Sequence, residues 1–579
     1  MQKQSLTDAV GPPAGRRLGG ASRVAAGILS SRILGLVRDQ LIAYFFGLGR
    51  HADVLRTVFR GPNILQNLMG EQTLSASFIP IYSRLLSQGR DEEAGRLAGA
   101  VFGLLVAAGA GIALLGILFA RPLVALLSPG FLGDAALVAA GSADIDRYEL
   151  AVTAVRIVFP MVSILVLSAW ALGVLNSHRR FFSSYFAPVL WNVSIIAALL
   201  LAVATLVPGG INGATDQIDS EIGNRLLLAM CWGALLGGVL QFGFQLPLVA
   251  KVLRGFRLSL STRVEGVRTT LRNMAPLVAA RGAAQLSSYL DLVLASFLVA
   301  GAPAALVQAQ TLYLLPIALF ALSVSAAELP ELSSLGDDDR ALRASARAAR
   351  ALRRIAFWVV PTAIGYLSFG YLIVGALFRR GRFGAGENAL VFLVLGGYTL
   401  GLLATSWSRL LLNVFYSVGE TKIPARISIA RVALSALSGV ALMLWLDRFP
   451  VFLATEHLDP AGVAGGSIPD SLRLGAVGLA VGAGLSSWVE LSLLLVALRK
   501  LAIQVRLPAL FAARAVAAAA VAALAAVGVW WLLPALPREI TAAVVVPVYA
   551  VCYFCLNLVA GVPEAREAID TLRRGSATL

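Results

Sequence analysis

Apolar stretches of about 20 residues or more recur along the chain from Ala21 to Val562, each long enough to cross a hydrocarbon core of roughly 30 Å as a helix. This one feature leaves few folds open. An unpaired backbone group in lipid costs several kcal/mol, so a spanning segment is either a helix or part of a closed barrel, and the residue alternation of a barrel strand is absent. The spacing predicts about fourteen spans, over 21–47, 53–87, 97–127, 148–176, 182–207, 225–250, 271–300, 303–333, 352–377, 388–417, 424–446, 473–498, 508–533 and 540–562. With 58% apolar and 14% charged residues and a mean hydropathy of +0.80, the chain lies far from soluble globular proteins. The expected fold is an all-α polytopic membrane protein.

Lys and Arg between spans set the expected orientation, because basic loops are retained in the cytoplasm. Lys251, Arg254, Arg257, Arg263, Arg268 and Arg272 stand against the single acid Glu265, and Arg340, Arg343, Arg347, Arg350, Arg353 and Arg354 fill the link after the eighth span. Links 208–224 and 447–472 are acidic instead, with Asp216, Asp219 and Glu221, then Asp447, Glu456, Asp459 and Asp470. Both termini are therefore expected in the cytoplasm. Arg379, Arg380 and Arg382 fall on the outer side and oppose this assignment, but the other loops outweigh them. The positive-inside loops account for most of the net charge of +16, so it speaks for the membrane surface and against nucleic acid.

No link exceeds about 30 residues, too little for a soluble catalytic domain, so the function is expected within the membrane. Cys552 and Cys555 have the spacing of a redox or metal pair but lie in the last apolar span, where packing is the expected role. His51, His178 and His457 are scattered, so no metal site and no cofactor are expected. Asp337, Asp338 and Asp339 precede an Arg-rich helical stretch and read as its N-terminal acids rather than as a metal-diphosphate site. Residues 1–20 lack the apolar region of a cleaved signal and are expected to be a disordered cytoplasmic tail.

Charge inside the apolar spans is the functional clue. Arg32, Arg38 and Asp39 lie in the first span, and Asp53, Arg56, Arg60 and Glu71 in the second. An ionised side chain at mid-membrane costs on the order of 3 kcal/mol, which water, a partner or a ligand must offset. Asp53, Arg56, Arg60, Asn63, Asn67 and Glu71 step by three or four, a single helical face interrupted by Pro62, and Arg281, Gln285, Ser288 and Asp291 form a similar stripe in the seventh span. Intramembrane salt bridging of Arg38 or Arg56 by Asp39, Asp53 or Glu71 is the structural alternative. A water-filled cavity richer in Arg than in acid explains all the stripes together. Arginine binds phosphate oxygens bidentately and keeps its charge, so the implied ligand is an anion such as a diphosphate.

An internal repeat organises the helices. Asp39, Ala43 and Phe45 match Asp291, Ala295 and Phe297 at one constant offset, and Pro62 and Pro80 have approximate counterparts in Pro316 and Pro330. Six helices per copy put both halves in the same orientation, a parallel transporter repeat. The expected division is an N-lobe over 21–250 (helices 1–6), a cytoplasmic linker over 251–270, a C-lobe over 271–498 (helices 7–12), two further helices over 508–562 and a cytoplasmic tail over 563–579.

On these residues the chain resembles the MurJ (MviN) lipid II flippases of the multidrug/oligosaccharidyl-lipid/polysaccharide exporter superfamily. The most specific part is Ser31-Arg32 through Arg38-Asp39, then Phe46-Gly47, Asp53, Pro62-Asn63, Glu71 and Phe78-Ile79-Pro80. Ser128-Pro129-Gly130-Phe131, Leu175-Asn176, Arg180-Phe181, Ala187-Pro188 and Phe415-Tyr416-Ser417 with Thr421, Lys422 and Pro424 extend it. The resemblance implies fourteen helices, two lobes around a cationic cavity, and a groove in the last two helices for a polyprenyl tail. It implies a bacterial inner-membrane transporter, not an enzyme. The cargo would be lipid II, undecaprenyl-diphosphate carrying the peptidoglycan disaccharide-pentapeptide, with membrane lipids and cell-wall synthesis proteins as further partners. By similarity Arg32 and Arg38 contact the diphosphate, and Asp53 and Glu71 hold or gate the cavity as the lobes rock. Asp39, Asp291 and Glu490 are candidates for gating or ion coupling.

The chain departs from that family at two places, Gln66-Asn67 and Gln310-Thr311, where family members usually carry arginine. Arg56 and Arg281 are the expected replacements for the missing charge. Another polyprenyl-diphosphate glycan, an O-antigen or teichoic precursor, would suit the same cavity. A drug exporter would want acid in place of Arg, and a membrane enzyme acting on polyprenyl phosphates is the reading from a different class.

Overall fold

A computed structural model describes residues 14–210, 215–325, 328, 340–451, 472–501, 503–533 and 536–576. Within these, only the backbone is described for 14–28, 71–72, 75, 181–185, 216, 276–277, 279–288, 340–341 and 571–576. The Asp337–Asp339 run therefore lies outside the described residues. The described chain is helical, apart from turns and one isolated bridge between Pro450 and Arg473. Two compact units divide it, residues 1–42, 57–127 and 132–286 in the first and 43–56, 128–131 and 287–579 in the second.

In the first unit the main helices are α1 (Ala14–Phe46, which continues into the second unit), α2 (Arg50–Met69, whose first turns belong to the second unit), α3 (Glu71–Ser77), α4 (Ile79–Ser87), α5 (Asp91–Leu118) and α6 (Ala120–Leu127). They are followed by α7 (Asp134–Ala139), α8 (Arg147–Ser177), α9 (Phe181–Leu206), α10 (Ser220–Ala250) and α11 (Val267–Ala295, whose last turns belong to the second unit). The entry to α8 is fixed by Asp146, whose carboxylate accepts from the N–H groups of Tyr148 and Glu149, satisfying donors that the first turn leaves open. Asp219 does the same for Ile222 at the start of α10, at 2.7 Å. Beneath these caps α8 packs on α5 and α10, and Phe78, Tyr82, Leu97 and Trp170 fill the core between them.

The second unit continues with α12 (Ala302–Pro316), α13 (Arg340–Phe378), α14 (Ala385–Thr399), α15 (Leu402–Ser417) and α16 (Lys422–Leu446). Its last helices are α17 (Gly475–Lys500), α18 (Ala509–Trp531), α19 (Arg538–Val559) and α20 (Pro563–Ser576). Past Pro316, which lacks a backbone donor, residues Ile317–Leu322 widen into a π-helical turn. α16 and α17 approach backbone to backbone. A Cβ on Gly482 would lie 2.6 Å from the Cα of Gly439, the small-residue contact by which membrane helices pack where apolar burial gives no net drive.

Among the described residues ten helices are long and apolar enough to cross a membrane, or up to 12 if each of two bent pairs is one span. The exact count of fourteen is not confirmed. Expected spans 21–47, 53–87 and 271–300 are the ones outside that set, and they are the three that carry the charged stripes. The segment 53–87 is not one helix. It breaks at Gly70 and again at Phe78, and a Cβ on Gly70 would come 2.2 Å from the carbonyl oxygen of Gln66, so only glycine fits the first break. α1 begins at Ala14, inside the stretch read as a tail, and the expected C-terminal tail contains α20.

Candidate functional site

Arg38 of α1 meets α9 within the first unit. Arg38 is half-buried, and its guanidinium donates to Asp39 Oδ1 at 3.2 Å and to Asn192 Oδ1 at 3.1 Å, while its centre sits 5.3 Å from the Trp191 ring centroid. Asn192 is itself oriented by donating to the carbonyls of Ser31 at 3.4 Å and Pro188 at 3.3 Å. Three kinds of contact thus hold one guanidinium in a fixed direction: a carboxylate, an amide and an aromatic face. The pairing of Arg38 with Asp39 is the intramembrane ion pair considered from the sequence. It occupies part of the fork, and 21% of the Arg38 side chain stays exposed. Arg32, earlier in α1, is exposed.

Asp53 is fully buried and works within the second unit. Its Oδ2 accepts from the N–H of Gly301 at 2.8 Å and its Oδ1 from that of Ala304 at 3.0 Å. These are donors at the start of α12, so a carboxylate from another helix serves as the N-cap that Gly301 has no side chain to provide. Gly301 has a φ of +94°, and a Cβ there would lie 2.3 Å from the carbonyl oxygen of Leu48. Asp53 and Gly301 fix the N-terminus of α12 together.

Arg56 and Arg60 on α2 are half-buried. Glu71 opens α3 and Arg281 lies in α11, and both side chains fall outside the described residues. Sequence reasoning placed Asp53 and Glu71 on one helical face. The break at Gly70 puts them on different helices.

A polar cavity of about 170 Å³ opens inside the second unit, bordered by α11, α12 and α14–α17. Asp291 lines it and accepts from the Tyr398 hydroxyl at 3.4 Å, and the same hydroxyl accepts from Gln310 Nε2 at 2.8 Å. On another wall Tyr313 donates to Thr405 at 3.0 Å and Thr405 to Ser487 at 3.0 Å. Arg409 and Arg431 complete the lining. Arg431 donates to the buried carboxylate of Glu490 at 3.4 Å, and Ser428 donates to the other oxygen of that group at 3.3 Å. Two of the three gating candidates, Asp291 and Glu490, thus belong to this neighbourhood. Asp39 stands with Arg38 in the first unit.

Sequence reasoning missed Asn192, Trp191, Tyr398, Arg409 and Arg431. The last two were within reach, because each is a cation inside an expected span, 388–417 or 424–446, the same signal that singled out Arg32.

Apolar helices that traverse the membrane many times, with ionised groups clustered inside them, define a multi-pass membrane transport protein. The comparisons with known proteins narrow this. The family model described as "Lipid II flippase MurJ" matches residues 42–456. The lipid II flippase MurJ of Burkholderia cenocepacia is 31% identical over 415 residues, 71% of this chain and 75% of that protein. The probable lipid II flippase MurJ of Bdellovibrio bacteriovorus is 31% identical over 427 residues, 73% of this chain and 76% of that one. The chain belongs to the MurJ family. A lipid II flippase MurJ solved in an inward closed conformation shares the fold, with a TM-score of 0.66 at 20% identity over 94% of this chain and 99% of that one. An inward-facing multidrug resistance MATE family transporter of the MOP superfamily matches with a TM-score of 0.53 at 16% identity, over 83% and 99%.

Proposed function

We propose that this protein is a flippase that moves lipid II, an undecaprenyl-diphosphate-linked peptidoglycan precursor, from the cytoplasmic to the outer leaflet of the bacterial inner membrane. No bond is made or broken, and transport proceeds by alternating access. Membership of the family supports the cargo. The observation that carries the chemistry is the Arg38 guanidinium, held by Asp39, Asn192 and Trp191 with part of its surface open. A cation braced in this way inside an apolar helix loses little freedom on meeting a diphosphate, and its remaining donors match phosphate oxygens.

Arg32 and Arg38 are assigned to the diphosphate, with Arg56, Arg60 and Arg281 adding positive charge. Asp53 acts by holding the start of α12, Glu71 gates at the α2–α3 break, and Asp39, Asp291 and Glu490 are the groups through which an ion gradient would couple. The N-lobe over 21–250, the C-lobe over 271–498 and a tail-binding groove over 508–562 remain the proposed functional divisions, with both termini cytoplasmic.

Complementation of a bacterium depleted of its own lipid II flippase tests this. The parent chain is expected to restore growth, and Arg32→Ala and Arg38→Ala are expected to fail at matched membrane levels. Failure of the parent despite good insertion would move the assignment to another polyprenyl-diphosphate glycan.

A further inference from the structure

Part of the link 251–270, expected as a cytoplasmic linker, climbs a membrane helix within the first unit. α5 carries Gly95, Gly99 and Gly103 at every fourth position, a track along one face, and the irregular segment after α10 lies in it. A Cβ on these glycines would come 1.8 Å from the carbonyl oxygen of Arg254, 2.2 Å from that of Arg257 and 2.3 Å from that of Ser259. The segment thus rises about 12 Å along α5. Gly99 and Gly103 belong to the uncharged stretch 97–118, with which α5 crosses the membrane. A loop in water would turn away at Arg96.

The side chains and backbone of the segment suit that depth. The Phe256 ring packs 6.0 Å from Phe102 and 6.3 Å from Trp170, while Leu258 and Leu260, near the Gly103 level, stay 68% and 64% exposed. There the N–H groups of Ser261 and Arg263 donate to the hydroxyls of Ser259 and Ser261 at 3.0 and 3.2 Å, as a backbone short of water requires. Residues 251–263 hold four cations and no acid. Of the neighbouring acids, Glu93 and Glu265 are held by Arg90 and Asp91 lies 4.0 Å from Arg254, whereas Arg257 and Arg263 are exposed. Open leucines beside cations are the pattern of a membrane-interface segment.

We infer that residues 254–263 are a strap inserted in the membrane, with Leu258 and Leu260 among the acyl chains and Arg257 and Arg263 on the phosphates of anionic phospholipids. Long arginine stems carry the charge up to the headgroups while the backbone lies deeper. With both termini cytoplasmic the strap enters the cytoplasmic leaflet, whose surface is negative. This goes beyond cargo transport and holds whether or not lipid II is the cargo.

The test uses the full chain with Cys231, Cys552 and Cys555 replaced by Ser, in nanodiscs of phosphatidylcholine with or without phosphatidylglycerol. An environment-sensitive dye is placed on Leu258→Cys or, for comparison, on Gln88→Cys, an exposed position just before α5. Nitroxide-labelled acyl chains are expected to quench the Leu258→Cys dye and iodide to spare it, with the reverse at Gln88→Cys. Phosphatidylglycerol is expected to raise the nitroxide quenching about two-fold, and Arg257→Gln/Arg263→Gln to remove that increase. Iodide quenching at Leu258→Cys equal to that at Gln88→Cys overturns the insertion. Protection from both quenchers overturns it too, since protein would then cover the leucines. Quenching indifferent to phosphatidylglycerol overturns the headgroup contact.

Discussion

At the residue scale, the charges inside the apolar helices do different kinds of work. Arg38 is aimed, Arg431 is paired with Glu490, and Asp53 is committed to the backbone donors of α12. An amide at position 53 has one acceptor oxygen for two N–H groups and would turn its own NH₂ towards the other. Asp53→Asn is therefore expected to destabilise the protein by about 1–3 kcal/mol, read as a lower thermal unfolding midpoint of the purified chain, with lipid II binding by the folded fraction unchanged. Weaker binding at unaltered stability would make the carboxylate a cargo contact. Arg32 and Arg38 were legible in the sequence because a cation in a greasy segment stands out locally. The partners of Arg38 were not, since Asn192 lies 154 residues away and no local pattern links the two. Arg409 and Arg431 carried the same local signal, with Thr405 and Asn413 around the first and Ser428, Ser435 and Ser438 around the second at helical spacing.

At the scale of elements, the helices follow the apolar runs, and their breaks follow backbone chemistry. Gly70 divides the expected second span because its backbone lies against Gln66, a contact that hydropathy cannot register. The basic link before α13, read from the sequence as an Arg-rich helical stretch, is the start of a 39-residue helix. Its arginines pair across elements, Arg347 with Glu328 at 2.6 Å, Arg353 with Glu564 at 3.0 Å and Arg354 with Glu567 at 2.9 Å. The last two pairs hold α20, in what was expected to be a tail. The α16–α17 contact gives the clearest prediction. Gly482→Leu would drive a side chain into the Gly439 backbone, a clash that repacking cannot relieve cheaply, so a loss of several °C in unfolding midpoint or of assembled protein is expected. Gly528→Leu in α18 is the control, since a Cβ there meets nothing within 4 Å, and it is expected to leave stability within about 1 kcal/mol of the parent.

At the scale of the whole molecule, orientation is the testable property. In a chain with Cys231, Cys552 and Cys555 replaced by Ser, Arg263→Cys is expected to react with a membrane-impermeant maleimide only after cell lysis. Gln217→Cys is expected to react in cells with a permeabilised outer membrane and an intact inner one. The reverse pattern would invert the chain. Two of the arginines that oppose the positive-inside assignment are engaged by other side chains: Arg380 pairs with Glu539 at 2.9 Å and Arg379 donates to the Tyr371 hydroxyl at 3.4 Å. By itself the sequence determined that this chain is a bundle of membrane helices with cations inside it, because apolarity and helical spacing are properties of neighbouring residues. Only the tertiary structure decided what those charges do. Asp53 is spent on donors 248 and 251 residues away, and Arg409 and Arg431 come to share one cavity with Asp291. Such pairings arise when distant helices pack, and no residue carries their trace in its own surroundings along the chain.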